Sequence, residues 1–282
     1  MDQTQTTSYP YRIKNSKPWQ SKEYPKEMDK KQQLNQLKKQ IQTCQRCRLA
    51  DTRSHALPGE GNPNARLFLI AQAPGEVEDE KGTMFLGPSG KVLDNLLTIA
   101  DVSRDQIYMT NLIKCHLPKN RKPKAEEIET CRRYLDREID IIKPALLIPM
   151  GHYATRYLLQ KYNQKIPSKH EFYKLYGTLL YIKKQKIYPV QHPAAILHDE
   201  SLQPILEQNY QKLSVFSHPC KWALVCPMKY YYEQGLLDKK WRELYCYGDW
   251  ETCIRYQKEE KNEYHEDWML PDGSLDQQLK NK

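Results

Sequence analysis

The chain has 282 residues, 39% of them hydrophobic, a formal net charge of +9 and a mean hydropathy of −0.85. That length allows one or two domains with a real core, and no run approaches the roughly 18–20 apolar residues of a membrane span. The first residues lack the apolar core of a signal peptide, so a cytoplasmic location is the expectation. The moderate positive charge suits a polyanionic partner such as nucleic acid, and it suits a merely well-solvated surface equally.

Residues 1–30 are polar, scattered with lysine and proline, and lack apolar periodicity; they read as a basic, disordered tail. Leu34, Leu37 and Ile41 then recur at helical spacing, and Cys44-Gln-Arg-Cys47 follows at once. In a chain with no export signal, such a pair belongs to a metal or redox site more often than to a disulfide. Leu67–Ala71 has the length of a buried strand, and Ala73-Pro74-Gly75 breaks it. Four acids follow: Glu76, Glu78, Asp79 and Glu80. Gly87-Pro-Ser-Gly90 opens a helix through Val92, Leu93, Leu96, Leu97 and Ala100, and the N–H groups at such a start can bind a phosphate.

Residues 106–112 form the second expected strand, with Asn111 near its end. An amphipathic helix bearing Cys131 covers 126–142, a third strand 145–150, and a further helix starts at His152. Residues 177–182 and 186–190 read as a hairpin ending at Gln191-His192-Pro193-Ala194-Ala195, and a helix over 202–214 closes the unit. Strands alternating with helices imply an α/β fold with a mainly parallel central sheet and helices on both faces. Gln72, Asn111 and His192 then stand at the carboxyl ends of strands, where such folds place ligands.

After residue 215 the composition changes. Trp222, Trp241, Trp250 and Trp268 lie there, with Cys220, Cys226, Cys246 and Cys253. The expected organisation is therefore a tail (1–30), a main domain (31–214) and a small module (215–282). So short a module has a marginal core, and small domains commonly need a staple such as a metal.

The motifs C-x-x-C (44–47), A-Q-A-P-G-E-V-E-D (71–79), M-F-L-G-P-S-G (84–90), T-N-L-I-K-C (110–115), Cys131 and H-P-A-A (192–195) occur in an order that resembles the family-4 uracil-DNA glycosylases, the iron–sulfur branch of that superfamily. The resemblance covers about residues 40–214. It implies a three-layer α/β/α sandwich, in agreement with the strand and helix pattern. It also implies a DNA-repair enzyme that flips uracil out of single- or double-stranded DNA and hydrolyses its N-glycosidic bond, leaving an abasic site. The cofactor it implies is a [4Fe–4S] cluster held by Cys44, Cys47, Cys115 and Cys131. Spacing alone would suit a four-cysteine zinc site equally well. The 115–131 loop would carry Lys119, Arg121, Lys122 and Lys124 toward DNA phosphates.

For the pocket, the resemblance implies that Phe85 stacks on the flipped base, although a core phenylalanine fits the same apolar run. Asn111 would read the uracil edge, accepting from N3–H and donating to O4, the reverse of what cytosine presents. His192 would stabilise charge growing on uracil O2. Ala73, Gly75 and Ser89 complete the expected substrate-binding set, and Ile196-Leu197-His198 resembles the wedge that fills the gap in the duplex. The main departure is Gln72, where the commoner motif has glutamate. Glutamine can orient a water but cannot act as a general base; either Glu76, Glu78 or Asp79 supplies the missing charge, or the enzyme relies mostly on leaving-group stabilisation or is slow.

Two further readings stay open at this point: a catalytically weak or inactive DNA-binding member of the fold, and a glycosylase for another deaminated base such as hypoxanthine. A monomer is expected. The C-terminal segment resembles a small Cys/Trp-rich domain of bacteria and archaea in C-P-M-K, W-x-x-x-Y-C, G-D-W, C-I-R-Y and W-M-L-P-D-G. Its four cysteines are a candidate site for a second cluster or zinc, with His218 and His265 as spare ligands.

Overall fold

The computed structural model describes residues 28–182 and 185–280, so nearly all of the expected N-terminal tail lies outside the described residues. Helix α1 (Lys30–Gln42) starts at Asp29, whose carboxylate accepts the Gln32 N–H at 2.8 Å, satisfying one of the helix's free donors. The two-residue strand β1 (Glu60–Gly61) precedes β2 (Leu67–Ala71), which is buried along its whole length. Next come α2 (Glu76–Lys81), α3 (Pro88–Ile99), β3 (Ile107–Asn111), α4 (Ala125–Ile142), β4 (Leu146–Pro149) and α5 (His152–Lys161). The one-turn α6 (Lys169–Phe172), the hairpin strands β5 (Leu180–Ile182) and β6 (Gln185–Ile187), then α7 (Ala194–His198), α8 (Gln203–Gln211) and α9 (Leu213–Ser217) follow. The sequence reading anticipated the main elements to within a few residues. It missed β1, α2 and α6, took α7 for a loop, and ran α8 and α9 together.

The six strands lie in the order β1-β3-β2-β4-β6-β5. The inner four are parallel and the two edge strands antiparallel. Alternation of side chains along each strand divides the core in two. Phe68, Ile70, Tyr108 and Leu147 pack with Ile41 of α1, Leu135 and Ile139 of α4 and Leu158 of α5. Leu67, Leu69, Met109 and Ile148 pack with Leu93 and Leu96 of α3 and with Leu206 and Tyr210 of α8. The result is the expected α/β/α sandwich. The chain leaves β2 toward the α3 face and leaves β3 toward the α4 face. Neighbouring strands whose connections depart to opposite faces open a crevice at their carboxyl ends, and here the paired residues Ala71 and Asn111 mark it.

The corner just past β3 is held by charge. Lys114 is 1% exposed, and its Nζ donates to Glu138 Oε2 of α4 at 2.6 Å and to Thr110 Oγ1 at 2.5 Å. Thr110 Oγ1 donates in turn to Glu138 Oε2 at 2.7 Å, and the Gly59 N–H donates to Glu138 Oε1 at 2.8 Å.

The C-terminal segment adds α10 (Pro227–Glu233), α11 (Lys239–Trp241) and α12 (Ile254–Glu260). It has two small apolar clusters of its own, one around Met228, Tyr231 and Leu270, the other around Cys220, Ala223 and Cys246. It meets the sheet through the buried Lys186 of β6, whose Nζ donates to the Tyr247 carbonyl at 2.5 Å and pairs with Glu243 at 3.3 Å. Glu243 and Tyr247 share a cleft with Arg66 and Ala145, the residues just before β2 and β4, so the contact is at the amino ends of the strands. Among the described residues no helix is long and apolar enough to cross a membrane.

Lys114→Met should lower the unfolding free energy by about 3–5 kcal/mol, because it strands Glu138 as a buried, unpaired charge. The double variant Lys114→Met/Glu138→Leu should recover most of that loss in denaturant titrations. Losses that simply add would contradict this account.

Candidate active site and cysteine centre

The carboxyl ends of β3, β2, β4 and β6 bring the expected residues to one edge in sheet order. Asn111, the last residue of β3, is buried opposite Ala71. Gln72 follows Ala71, half-buried, and its carbonyl accepts the Ile113 N–H at 2.9 Å, which closes the two strand ends together. On the other side of β2, the Met150 N–H donates to the Ile70 carbonyl and the Gly151 N–H to the Val190 carbonyl, both at 2.8 Å. Gly151 has φ +82°, a conformation that side chains other than glycine's rarely adopt, and a Cβ there would lie 3.4 Å from His192 Cβ. Gly151 thus lies directly beside His192.

Two features define the state of His192. Its Nδ1 accepts the Ala194 N–H at 3.1 Å, which fixes the tautomer: the proton of the neutral ring is on Nε2. Removal from water pushes the imidazole down to about 4, with Glu78 pulling weakly the other way. The ring is therefore neutral near pH 7 and presents Nε2–H as a donor.

The acids after β2 separate into distinct roles because they lie on a helix. Glu76 and Glu80 of α2 are exposed. Asp79 is buried and committed to the chain before β1: its carboxylate accepts the Ser54 N–H at 2.8 Å and the His55 N–H at 3.2 Å. Glu78, 6% exposed, turns inward and accepts the Gly87 N–H at 2.8 Å. A Cβ on Gly75 would come within 2.4 Å of Glu78 Oε2, so this glycine makes room for the carboxylate. The start of α3, expected to cradle a phosphate, thus already has an anion beside it. Ser89 is half-buried in the first turn of α3 and Ala73 is half-buried beside Gln72.

Phe85 is 6% exposed and belongs to the apolar cluster of the α3 face. Its φ is +52°, uncommon for a bulky residue and of the order of 1–3 kcal/mol in cost. The Arg104 guanidinium holds its carbonyl at 2.9 Å. At Gly90 an added Cβ would fall 2.0 Å from that carbonyl oxygen, so the F-L-G-P-S-G motif contains the glycine that its own turn requires.

The four cysteines expected to bind a cluster are free thiols that converge on the α1–α4 face. Cys115 and Cys131 are buried; Cys44 and Cys47 pack against them. Burial pushes the Cys131 thiol up to about 12, and Cys115 and Cys47 add to the effect by proximity. The sequence reading did not find the groups around them. The Arg53 guanidinium donates to Cys115 Sγ at 3.1 Å and to the Cys44 carbonyl at 2.5 Å, and the Lys114 N–H donates to Cys131 Sγ at 3.2 Å. A lone arginine after a C-x-x-C pair carries no local signal of that role. His116, next to Cys115, makes a 3.1 Å contact through Nδ1 with the Pro74 carbonyl, joining the cysteine corner to the A-Q-A-P-G turn.

Two expectations about DNA contacts take a different form. Arg121 is bound in a two-pronged pair with Glu127 at 2.9 and 2.5 Å, so it caps α4, while Lys119 and Lys122 remain exposed. The 196–198 segment is the end of the short helix α7, in which Ile196 packs against the core and Leu197 projects with 51% exposure.

Gly90→Ala should lower the unfolding free energy by about 1–3 kcal/mol, as overpacking does. An unchanged denaturation midpoint would mean that the Phe85 carbonyl is not held against this turn.

Comparison with known proteins gives the family. The family model described as "Uracil DNA glycosylase superfamily" matches residues 58–214, more than half of the chain. A type-4 uracil-DNA glycosylase of Sulfurisphaera tokodaii is 38% identical over 186 residues, covering 64% of this chain and 83% of that protein. One from Archaeoglobus fulgidus is 32% identical over 181 residues, 64% and 91% respectively. One from Thermotoga maritima is 30% identical over 179 residues, 62% and 90%. On the family match and these type-4 relatives, the chain belongs to the uracil-DNA glycosylase superfamily, in its type-4 branch.

Proposed function

We propose that this chain flips uracil out of DNA and hydrolyses its glycosidic bond at the strand-end crevice, with His192 as the group that stabilises the leaving base. The observation that carries the reading is the Ala194 N–H on His192 Nδ1, since it leaves a neutral ring with its one donor, Nε2–H, for the substrate. When the N1–C1′ bond breaks, its electron pair moves onto the uracil ring and charge gathers at O2. A fixed donor there stabilises the transition state more than the ground state. A neutral imidazole keeps its proton while donating, and the base departs as an anion. The C1′ cation left behind is attacked by water oriented by the Gln72 amide, and that water's proton passes through solvent to the departed uracil anion.

Asn111 selects the base by accepting from N3–H and donating to O4. Phe85, Ala73, Gly75 and Ser89 shape the slot, and Leu197 is the exposed apolar group suited to filling the gap in the duplex. The exposed Lys119 and Lys122 suit phosphate contacts.

Cys44, Cys47, Cys115 and Cys131 fit a [4Fe–4S] cluster. The N–H donors on Cys115 Sγ and Cys131 Sγ are of the kind that stabilise cluster thiolates. The resemblance to the iron–sulfur branch, rather than the cysteine spacing, is what favours a cluster over zinc. When bound, the cluster would supply iron–thiolate bonds that clamp α1, the 115–131 loop and α4 together.

His192→Ala should slow single-turnover excision on the order of 10²–10³-fold with little change in DNA affinity, the size of one lost oxyanion donor. In the wild type, a group that ionises at about 4 contributes no inflection between about pH 8 and 5. Its unfolded value of 6.5 lies above the folded one, so stability falls as pH drops from about 6.5 toward 4. A rate inflection near 6.5 that disappears in His192→Ala would refute the neutral-donor role. Gln72→Glu should change the rate within about tenfold, or ~1.4 kcal/mol. A wild type that is inert until given this glutamate would instead favour the inactive DNA-binding reading, which Gln72 is the one residue to suggest.

A further inference from the structure

We propose that the C-terminal segment holds a second iron–sulfur cluster, ligated by Cys220, Cys226, Cys246 and Cys253. All four are free thiols. They come from separate stretches of a segment outside the family match, yet all four line one cavity of about 220 Å³. The Cys220 N–H donates to the Cys246 carbonyl at 2.8 Å, tying two of the stretches together at the cavity wall.

Ordinary core cysteines do not account for this. Protein interiors pack to the density of organic crystals and leave few voids larger than a water molecule. A partly open cavity of about 220 Å³ whose lining includes four thiols has room for a compact inorganic group. A single zinc ion would draw four sulfurs in to ~2.3 Å, so zinc is the competing outcome that the metal analysis decides.

Charge supports the same conclusion. Binding a cluster turns four thiols into thiolates, releases four protons to solvent and leaves net negative charge in a buried place. Arg242 and Arg255 are both buried here, and Arg255 lines the cavity. Arg242 is flanked by the rings of Tyr232 and Tyr247 at 5.4 and 5.1 Å. Arg255 gives one guanidinium nitrogen to three carbonyls, those of Glu266, Asp267 and Met269. The Nε atom of each arginine is buried without a hydrogen-bond partner among the described residues. Two fixed cations beside four thiols offset the charge that a cluster would bring.

The test is metal content of the full chain purified anaerobically. About eight irons and eight acid-labile sulfides per chain are expected, twice the content of one cubane. Cys115→Ser, which removes a ligand of the first centre, should keep about half of the iron and half of the absorbance near ~400 nm. Cys220→Ser/Cys246→Ser should lose the complementary half while retaining uracil excision. The proposal is overturned by about four irons that vanish wholly in Cys115→Ser, or by one zinc per chain that survives Cys115→Ser. Should the C-terminal variant fail to fold, wild type and Cys115→Ser still decide. Iron retained in Cys115→Ser without excision by the wild type would separate this site from the glycosylase reading.

Discussion

Three residues after the end of β3, a buried ammonium ion meets a buried carboxylate, and both halves of the functional region depend on that contact. Lys114 and Glu138 are each 1% exposed in their side chains and 2.6 Å apart. Desolvating one without the other is so costly that the corner has no halfway arrangement. The same turn carries Asn111 on one side and Cys115 on the other, and the Lys114 N–H is a donor to Cys131 Sγ. Glu138 lies on α4, as does Cys131. The placement of Asn111 and of the thiols therefore shares one joint, to which the His116 contact with Pro74 adds the β2 turn.

Glu78 gives the departure at Gln72 a structural setting. Two turns of the sequence, Pro74-Gly75 and Gly87-Pro88, close around this one carboxylate: the first leaves it space, the second gives it an N–H. A site with glutamine at position 72 still has a negative group near His192, displaced by six residues along the chain. The charge stands deeper than one at position 72 would, behind two glycines, in reach of the imidazole's field.

The fold was largely legible because its signals are local. β2 is an uninterrupted apolar run, α3 begins at a Gly-Pro step, and α4 repeats its apolar face at helical spacing. The strand ends followed, and with them the positions of Gln72, Asn111 and His192. Signals that depend on distant partners were not legible. Which of Glu76, Glu78 and Asp79 faces inward is decided by how the six-residue α2 lies against Ser54, His55 and Gly87. Arg53 meets Cys115 across 62 positions, and Lys114 meets Glu138 across 24. Arg121 looked like a phosphate contact until α4 supplied Glu127. The last four cysteines have irregular spacing, so their shared cavity exists only once α10, α11 and α12 have packed.

Lys186 has a consequence for assembly. The C-terminal segment docks where β2 and β4 begin, and the catalytic groups stand where the same strands end. Strands of four or five residues at ~3.3 Å per residue put more than 10 Å of packed sheet between the two. The C-terminal segment therefore covers the rim opposite the strand-end crevice, and leaves the crevice itself open.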